Sequence, residues 1–477
     1  MALPEVSATP VQPEPGSFRD PANRVFYLDG QVLRGLDPQA AADWWALLTT
    51  DFFPRLLASG KVCGSQPTDP VRGPGGEQWA LVLRHDRIPV VSYPYEWSFT
   101  MLRDAALLHL DILGAAVPEG FITKDGCAYN LQWRGAEPVF IDIGSFARLR
   151  PGEPWAGYRQ FCQTMLYPLM LQAHLGLDFQ PWLRGRVDGI EAGQMRRLFG
   201  GTRRFHAGVL RHVHVHDAMQ SRHASAGSEA VRDELRAAGF SSKLLQATVR
   251  SLDKLVRRLD WRAPVTHWSD YQRTCTYSEG ERERKRAFVD HALAQANHPR
   301  LVLDLGANDG TYARIAARHA EYVVAVESDP AVVDQLYRRL RAEGERRILP
   351  LVIDLADPSA GGGWRGLERA PFARRADADV VLALALVHHL AIGRNVPLRE
   401  VVDWLAGLVP VGGRLVAEFV HPEDPMARRL LANKPAGLFP DYRRDTFERL
   451  LGRRCRIEHR EELPSGTRTL YSGVRCG

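Results

Sequence analysis

The chain has 477 residues, 45% hydrophobic and 25% charged, with a net charge of +6. This composition excludes a fibrous or wholly disordered protein, and at roughly 150 residues per domain it predicts two or three globular units. No run reaches the roughly 18 uncharged apolar residues of a membrane-spanning helix, and the many arginines are dispersed rather than clustered with aromatics, which argues against a nucleic-acid surface.

Four segments are expected in chain order: a tail over 1–17, a mixed α+β unit over 18–200, a helical connector over 201–297 and an α/β unit over 298–477. The first is rich in Pro and Glu, lacks the apolar block of a signal peptide and reads as a disordered tail. Six cysteines are scattered with no CxxC pair, which fits a reducing cytoplasm.

In the second segment, Ser92-Tyr93-Pro94-Tyr95-Glu96-Trp97-Ser98-Phe99 is dense in aromatics. It either lines a pocket that stacks on a sugar or aromatic ligand, or is core plus turn. Lys124-Asp125-Gly126-Cys127-Ala128-Tyr129-Asn130 follows, then Val139-Phe140-Ile141-Asp142-Ile143-Gly144-Ser145. These read as a loop, a strand, a turn and a second strand ending in an acidic residue. The order resembles that of protein kinases and aminoglycoside-type phosphotransferases, whose Asp-x4-Asn loop supplies a base and a metal ligand and whose later Asp holds Mg²⁺. Asp125, Asn130 and Asp142 match that spacing. The His-Arg-Asp lead-in and the Gly-rich phosphate loop are missing. Lys61 is the only upstream lysine, and Arg84 is the cation of a strand, so the region is expected to be a kinase-like fold, degraded or remodelled.

The third segment reads as helical, with a polar break at Ser221–Ser228. His212, His214 and His216 would share a face only on a strand, which argues against a metal site there, and no metal is expected elsewhere. Trp268, Tyr271 and Tyr277 precede the helix that leads into the last segment and are read either as a cover over its pocket or as plain packing.

The last segment alternates strand and helix. Apolar strands are expected at Leu301–Leu305, Tyr322–Glu327, Ile348–Asp354, Asp379–Leu386 and Arg414–Val420, with helices at Thr311–His319, Ala331–Glu343 and Leu398–Leu408. Continuous apolar strands separated by helices predict a parallel sheet buried on both faces. Arg456–Glu462 and Thr469–Arg475 flank the turn Pro464-Ser465-Gly466 with no room for a helix, so they must pair antiparallel.

A ligand is expected at the carboxyl ends of these strands. Gly306 and Gly310 let the loop Asp304-Leu305-Gly306-Ala307-Asn308-Asp309-Gly310 bend tightly, and Glu327 ends the next strand, where a carboxylate can accept from both hydroxyls of a ribose. A dinucleotide fingerprint is GxGxxG. Here positions 308 and 311 are Asn and Thr, and Asp304 and Asp309 would repel a pyrophosphate but suit a cationic ligand. The pattern (D/E)xGxxxG and the terminal hairpin resemble class I methyltransferases that use S-adenosylmethionine (SAM). That resemblance covers 298–477 and implies a Rossmann-like sheet of seven strands, five parallel plus the hairpin. It places Asp304, Gly306 and Asn308 near the methionine part of SAM, Glu327 at the ribose and Asp354, in preference to Asp357, at the adenine amino group.

Methyl transfer is an in-line displacement that needs an aligned acceptor and, for a hydroxyl or acidic carbon, a base. Candidates after the fourth and fifth strands are His388, His389, Glu418 and His421, each with a structural alternative: a turn that shapes the substrate site, or a satisfied core carboxylate. Asp424 shares a loop with His421, and Leu430–Tyr442, with Lys434 and Phe439, is a candidate lid. Taken together, Tyr-Pro-Tyr-Glu-Trp, Lys-Asp-x3-Tyr-Asn, Ile-Asp-Ile-Gly-Ser, Leu-Val-His-His-Leu and Glu-Phe-Val-x-Pro-Glu-Asp-Pro resemble the rhizobial host-specificity nodulation proteins of the NoeA type. The resemblance spans roughly residues 75–475. It implies a SAM-dependent methyltransferase acting on a small-molecule or carbohydrate-containing acceptor in specialised metabolism. A bifunctional enzyme with an ATP-dependent phosphotransferase half, and a non-catalytic SAM-binding protein, are the alternatives.

Overall fold

The computed structural model describes residues 10–150, 154–218, 241–264 and 277–477. The N-terminal unit opens with a five-stranded antiparallel sheet of β1 (Gln12–Pro13), β2 (Asn23–Leu28), β3 (Gln31–Leu36), β4 (Ser65–Pro67) and β5 (Leu81–His85), in the order β1-β2-β3-β5-β4. Helices α1 (Pro38–Leu48) and α2 (Phe52–Ala58) interrupt it between β3 and β4. The expected tail is corrected in part: β1 pairs with β2, and Ser17 Oγ accepts from the Val25 amide at 2.8 Å. Those bonds hold a segment whose composition carries no strand signal.

Helix α3 (Phe99–Ala116) crosses the middle of the chain, capped by Ser98. Two small antiparallel strand pairs follow. β6 (Phe121–Thr123) pairs with β9 (Phe146–Arg148), and β7 (Leu131–Arg134) pairs with β8 (Glu137–Phe140). The described part of 201–297 is helical, including α4 (Ser242–Arg258) and α5 (Glu279–Ala294). Ser278 and Glu281 form a capping box at the start of α5, which fixes where that helix begins. No described helix is long and apolar enough to cross a membrane.

The C-terminal unit is a seven-stranded sheet. Its strands are β10 (Leu301–Leu305), β11 (Tyr322–Glu327), β12 (Ile348–Val352), β13 (Val380–Ala383), β14 (Arg414–Val420), β15 (Cys455–Glu462) and β16 (Arg468–Arg475). They lie in the order β12-β11-β10-β13-β14-β16-β15. The first five are parallel and the β15–β16 hairpin is antiparallel, as the apolar pattern predicts. The order reverses between β10 and β13, which opens a crevice at their carboxyl ends. Helices α6 (Thr311–Ala316), α7 (Pro330–Glu343) and α8 (Leu398–Gly407) cover the faces. Asp329 caps α7, Pro330 begins it and Gly344 closes it in the left-handed conformation.

The two units share one hydrophobic core. The aromatic run at Tyr93–Phe99 is in this interface and is not part of the lining of the cavity at the strand ends. Trp97 packs edge-on against Trp133, which packs edge-on against Tyr337 of α7, both at 5.5 Å. Beside them the buried Glu96 pairs with Arg375 at 2.5 Å and accepts from Ser359 Oγ at 2.6 Å. Across the same interface Asp334 caps α3 from α7: it accepts from the Thr100 amide at 2.7 Å and from Ser98 Oγ at 2.9 Å. Asp334→Ala therefore removes a cap and leaves buried donors unmet. It should lower unfolding stability by about 2 kcal/mol in urea denaturation. A change below about 0.5 kcal/mol would show that the cap does not join the two units.

Candidate cofactor and active site

A cavity of about 420 Å³ opens at the carboxyl ends of β10, β11 and β13. Its floor is the loop after β10. Gly306 and Gly310 have φ of +78° and +81°, and Asn308 between them has +46°. These left-handed conformations suit glycine and are tolerated by asparagine. A Cβ on Gly310 would also lie 2.6 Å from Leu336 Cδ1, so this position excludes any side chain twice over. The Gly306 and Ala307 amides both donate to Val326 O, at 2.8 and 2.9 Å, which pins the loop to the end of β11.

Asp304 lies on this floor, 2% exposed, and its Oδ2 has no hydrogen-bond partner among the described residues. Burial pushes its carboxyl up to about 7, against the opposing pull of Lys285. Glu327 stands one strand over. Its Oε1 accepts from the Ser328 amide at 2.6 Å and its Oε2 from the Asn308 amide at 3.3 Å, and burial raises its pKa. Asp354, after β12, lines the same cavity and pairs with Arg394 at 2.6 Å. Asp357 is outside it, exposed and bound to Arg184.

The base candidates separate. His389 is on the cavity wall. His388 is buried behind it at 1% exposure, its Nδ1 without a partner, and burial with the neighbouring His389 drives its pKa well below 6.5. A role for His388 as a cavity-facing base is corrected on that ground. Glu418 is also corrected. It is fully buried and accepts from Tyr277 Oη at 2.7 Å, Lys285 Nζ at 2.7 Å and the Ala385 amide at 2.8 Å. Burial alone would raise its carboxyl, but Lys285 and Arg468 hold it below the ordinary range. It is a satisfied core carboxylate. His421 hydrogen-bonds Thr469 Oγ1 at 2.9 Å, and Asp424 caps the helix Pro425–Leu431 and binds Arg468, so both are structural. In the candidate lid, Lys434 binds Asn395 at 2.8 Å and Tyr442 donates to Val420 O at 2.7 Å.

The chain leaves the fourth strand earlier than expected, at Ala383. Ala385 sits at φ +51°, and its turn carries Leu384, Ala385 and Leu386 into the cavity wall. Tyr277 lines the cavity as well, whereas Trp268, Tyr271 and Ser221–Ser228 lie outside the described residues.

In the N-terminal unit Asp125 and Asp142 are near enough for each to feel the other's charge, and the Ile141 amide donates to Asn130 O at 2.9 Å. Asp142 is not free: Arg34 of β3 binds it at 2.9 Å and also donates to Asn23 Oδ1. Asp125 accepts from Gln160 at 3.2 Å and burial raises its pKa. Lys61 pairs with Asp111 at the surface and Arg84 is exposed, so neither reaches this cluster. His212 and His216 each hydrogen-bond a tyrosine hydroxyl, of Tyr158 and Tyr167, whereas His214 bonds Phe199 O. Two residues escape sequence reasoning, Arg34 and Lys285. The one available signal for Lys285 is that an arginine-rich chain spends one of its six lysines there.

No protein-family model matches the sequence. Among solved structures, the chain is similar to the N-methyltransferase NodS of Bradyrhizobium japonicum WM9 in complex with S-adenosyl-L-homocysteine. The identity is 15%, the TM-score 0.32, and 42% of this chain and 90% of that chain are covered. The magnesium protoporphyrin IX methyltransferase of Synechocystis PCC 6803 with bound S-adenosyl-L-homocysteine gives 15% identity and a TM-score of 0.31, covering 44% of this chain and 94% of that one. The nodulation protein NoeA of Rhizobium meliloti (strain 1021) is 33% identical over 463 residues, which cover 96% of this chain and 95% of that protein. With that identity along nearly the whole length of both, the chain belongs to the NoeA family of nodulation proteins.

Proposed function

We propose that the chain is a SAM-dependent methyltransferase of the cytoplasm that modifies a small or carbohydrate-containing molecule in specialised metabolism. In this reading the N-terminal unit is kinase-like and recognises the acceptor. The carrying observation is the partnerless buried oxygen of Asp304 beside the Gly306–Gly310 loop, with Glu327 one strand away. A buried carboxylate left unmet calls for a cationic donor from the ligand. SAM brings an ammonium for Asp304 and ribose hydroxyls for Glu327, and supplies a methyl carbon activated by its sulfonium. In this reading Asp354, which lines the same cavity, accepts from the adenine amino group.

This chain's own residues then orient and shield. The Leu384–Leu386 turn makes an apolar wall that keeps water from the reacting end. In this reading His389, on that wall, takes a proton from a hydroxyl or ammonium acceptor. Titration calorimetry should show SAM binding that Gly306→Arg, which fills the loop, or Glu327→Ala abolishes. Wild-type protein that binds no SAM would overturn the reading.

The phosphotransferase alternative needs a free Asp142, and Arg34 occupies it. MgATP should therefore give no thermal shift. A shift that Asp142→Ala removes would favour phosphotransfer over recognition.

A further inference from the structure

Lys285 reaches the cavity from α5, far in sequence from the loop that shapes the floor. It is 3% exposed. Its Nζ donates to Glu418 Oε2 at 2.7 Å and Tyr277 Oη at 3.0 Å, and it lies 4.7 Å and 4.9 Å from the ring centres of Tyr277 and Tyr312. An ammonium has three N–H bonds. These two partners take two of them. Glu418 is itself saturated, so it anchors Lys285 and Tyr277 rather than meeting a ligand.

Asp304 faces the same cavity with an oxygen that has no partner among the described residues. The two side chains are close enough that each feels the other's charge. A buried ammonium with a spare proton beside a buried carboxylate with a spare oxygen is complementary to a zwitterion: an α-carboxylate and an α-ammonium on one carbon. Arg282 and Arg286, on the same helix, already answer Glu279 at 3.1 and 3.9 Å. They are also far more exposed than Lys285. Arg468, the other buried cation here, pairs with Asp424 at 2.7 Å and is not part of the cavity lining, so among the described residues Lys285 is the buried cation that faces the cavity.

The geometry points to Lys285 as the residue that holds the methionine carboxylate of SAM, paired with Asp304 for the ammonium. The assignment rests on the methyltransferase reading above and adds a binding residue to it. It predicts that the site reads the amino-acid end of its donor as a zwitterion. Donor analogues without the carboxylate are discriminated against even though their sulfonium, ribose and adenine are intact.

The probe is decarboxylated SAM, which keeps the ammonium and loses the carboxylate. Wild-type protein should bind SAM on the order of 10- to 100-fold more tightly than decarboxylated SAM, the range of one charged hydrogen bond. Lys285→Gln should lose that factor for SAM and weaken decarboxylated SAM much less, through its smaller effect on the charge of Asp304. Should the single variant unfold, the double variant Lys285→Gln with Glu418→Gln removes both charges together and gives the same readout. Equal losses for both ligands would make Lys285 a scaffold residue and overturn the assignment. Unchanged SAM affinity would also overturn it, leaving the cation for the acceptor. Wild-type protein that binds neither ligand would sink the methyltransferase reading itself, an outcome distinct from the other two.

Discussion

Glu418→Ala is expected to lower unfolding stability by about 3–5 kcal/mol, the cost of stranding a buried charge. The carboxylate is fully buried and faces two cations, Lys285 at 2.7 Å and Arg468 at 3.5 Å. Arg468 keeps a second anion, Asp424, at 2.7 Å. Lys285 keeps no second ion pair among the described residues and retains a tyrosine hydroxyl. Burial already pushes Lys285 down from its ordinary pKa, and Glu418 is the largest force opposing that push. Its loss leaves the ammonium either charged and unpaired or neutral in a site built for charge. The Ala385 amide loses its acceptor in the same step, which loosens a turn held at φ +51°. SAM affinity should therefore fall together with stability. The check is urea denaturation followed by tryptophan fluorescence, with Lys285→Gln/Glu418→Gln as the control. If the cost comes from the stranded ammonium, the double variant recovers most of the loss, because exchanging a buried ion pair for a neutral pair is far cheaper than breaking it. A loss below about 1 kcal/mol in Glu418→Ala would mean that water or another anion replaces the carboxylate.

What the sequence discloses and what it hides follow one physical rule. The sheet is legible because each parallel strand is a continuous apolar run buried on both faces. The cofactor loop is legible because its glycines answer a backbone requirement that is local. Where the fourth strand ends is not legible: Leu384 and Leu386 continue the apolar pattern, but Ala385 turns the chain, and the group holding that turn is Glu418, 33 residues on. Lys285 and Glu418 are 133 residues apart, and Arg34 and Asp142 are 108 apart. Nothing local marks either pair, since a helix of alternating Glu and Arg hides one inward-facing lysine among solvated neighbours. The aromatic run at Tyr93–Phe99 shows the opposite failure. Its composition fits a stacking pocket and a domain interface equally well, and only the partner surface, with Tyr337 and Arg375, separates them.

The affinity for SAM should rise about eightfold between about pH 6 and pH 7.5 through Asp304 alone, when only the carboxylate form binds. Burial pushes the Asp304 carboxyl up to about 7, and no hydrogen bond to Oδ2 among the described residues offsets that burial. Near pH 6 most molecules hold the neutral acid, which offers a cationic ligand nothing. Binding then selects the carboxylate and releases close to one proton. Titration in buffers of differing ionisation enthalpy measures that proton directly. The sign for stability is the reverse. The folded pKa lies above the ordinary 3.8, so the folded state binds more protons than the unfolded state between about 4 and 7. The ligand-free protein accordingly loses stability as pH rises through that window, and levels off above it. SAM cancels the loss by meeting the charge, so its stabilising effect on melting should be larger at about pH 8 than at about pH 6. Asp304→Asn keeps the shape and removes the titration. It should bind SAM weakly at both pH values, release no proton from this position and show no such slope in the ligand-free melt. The same pH slope in wild type and Asp304→Asn would assign the titration to another group, and with it the cation-binding role of the loop floor.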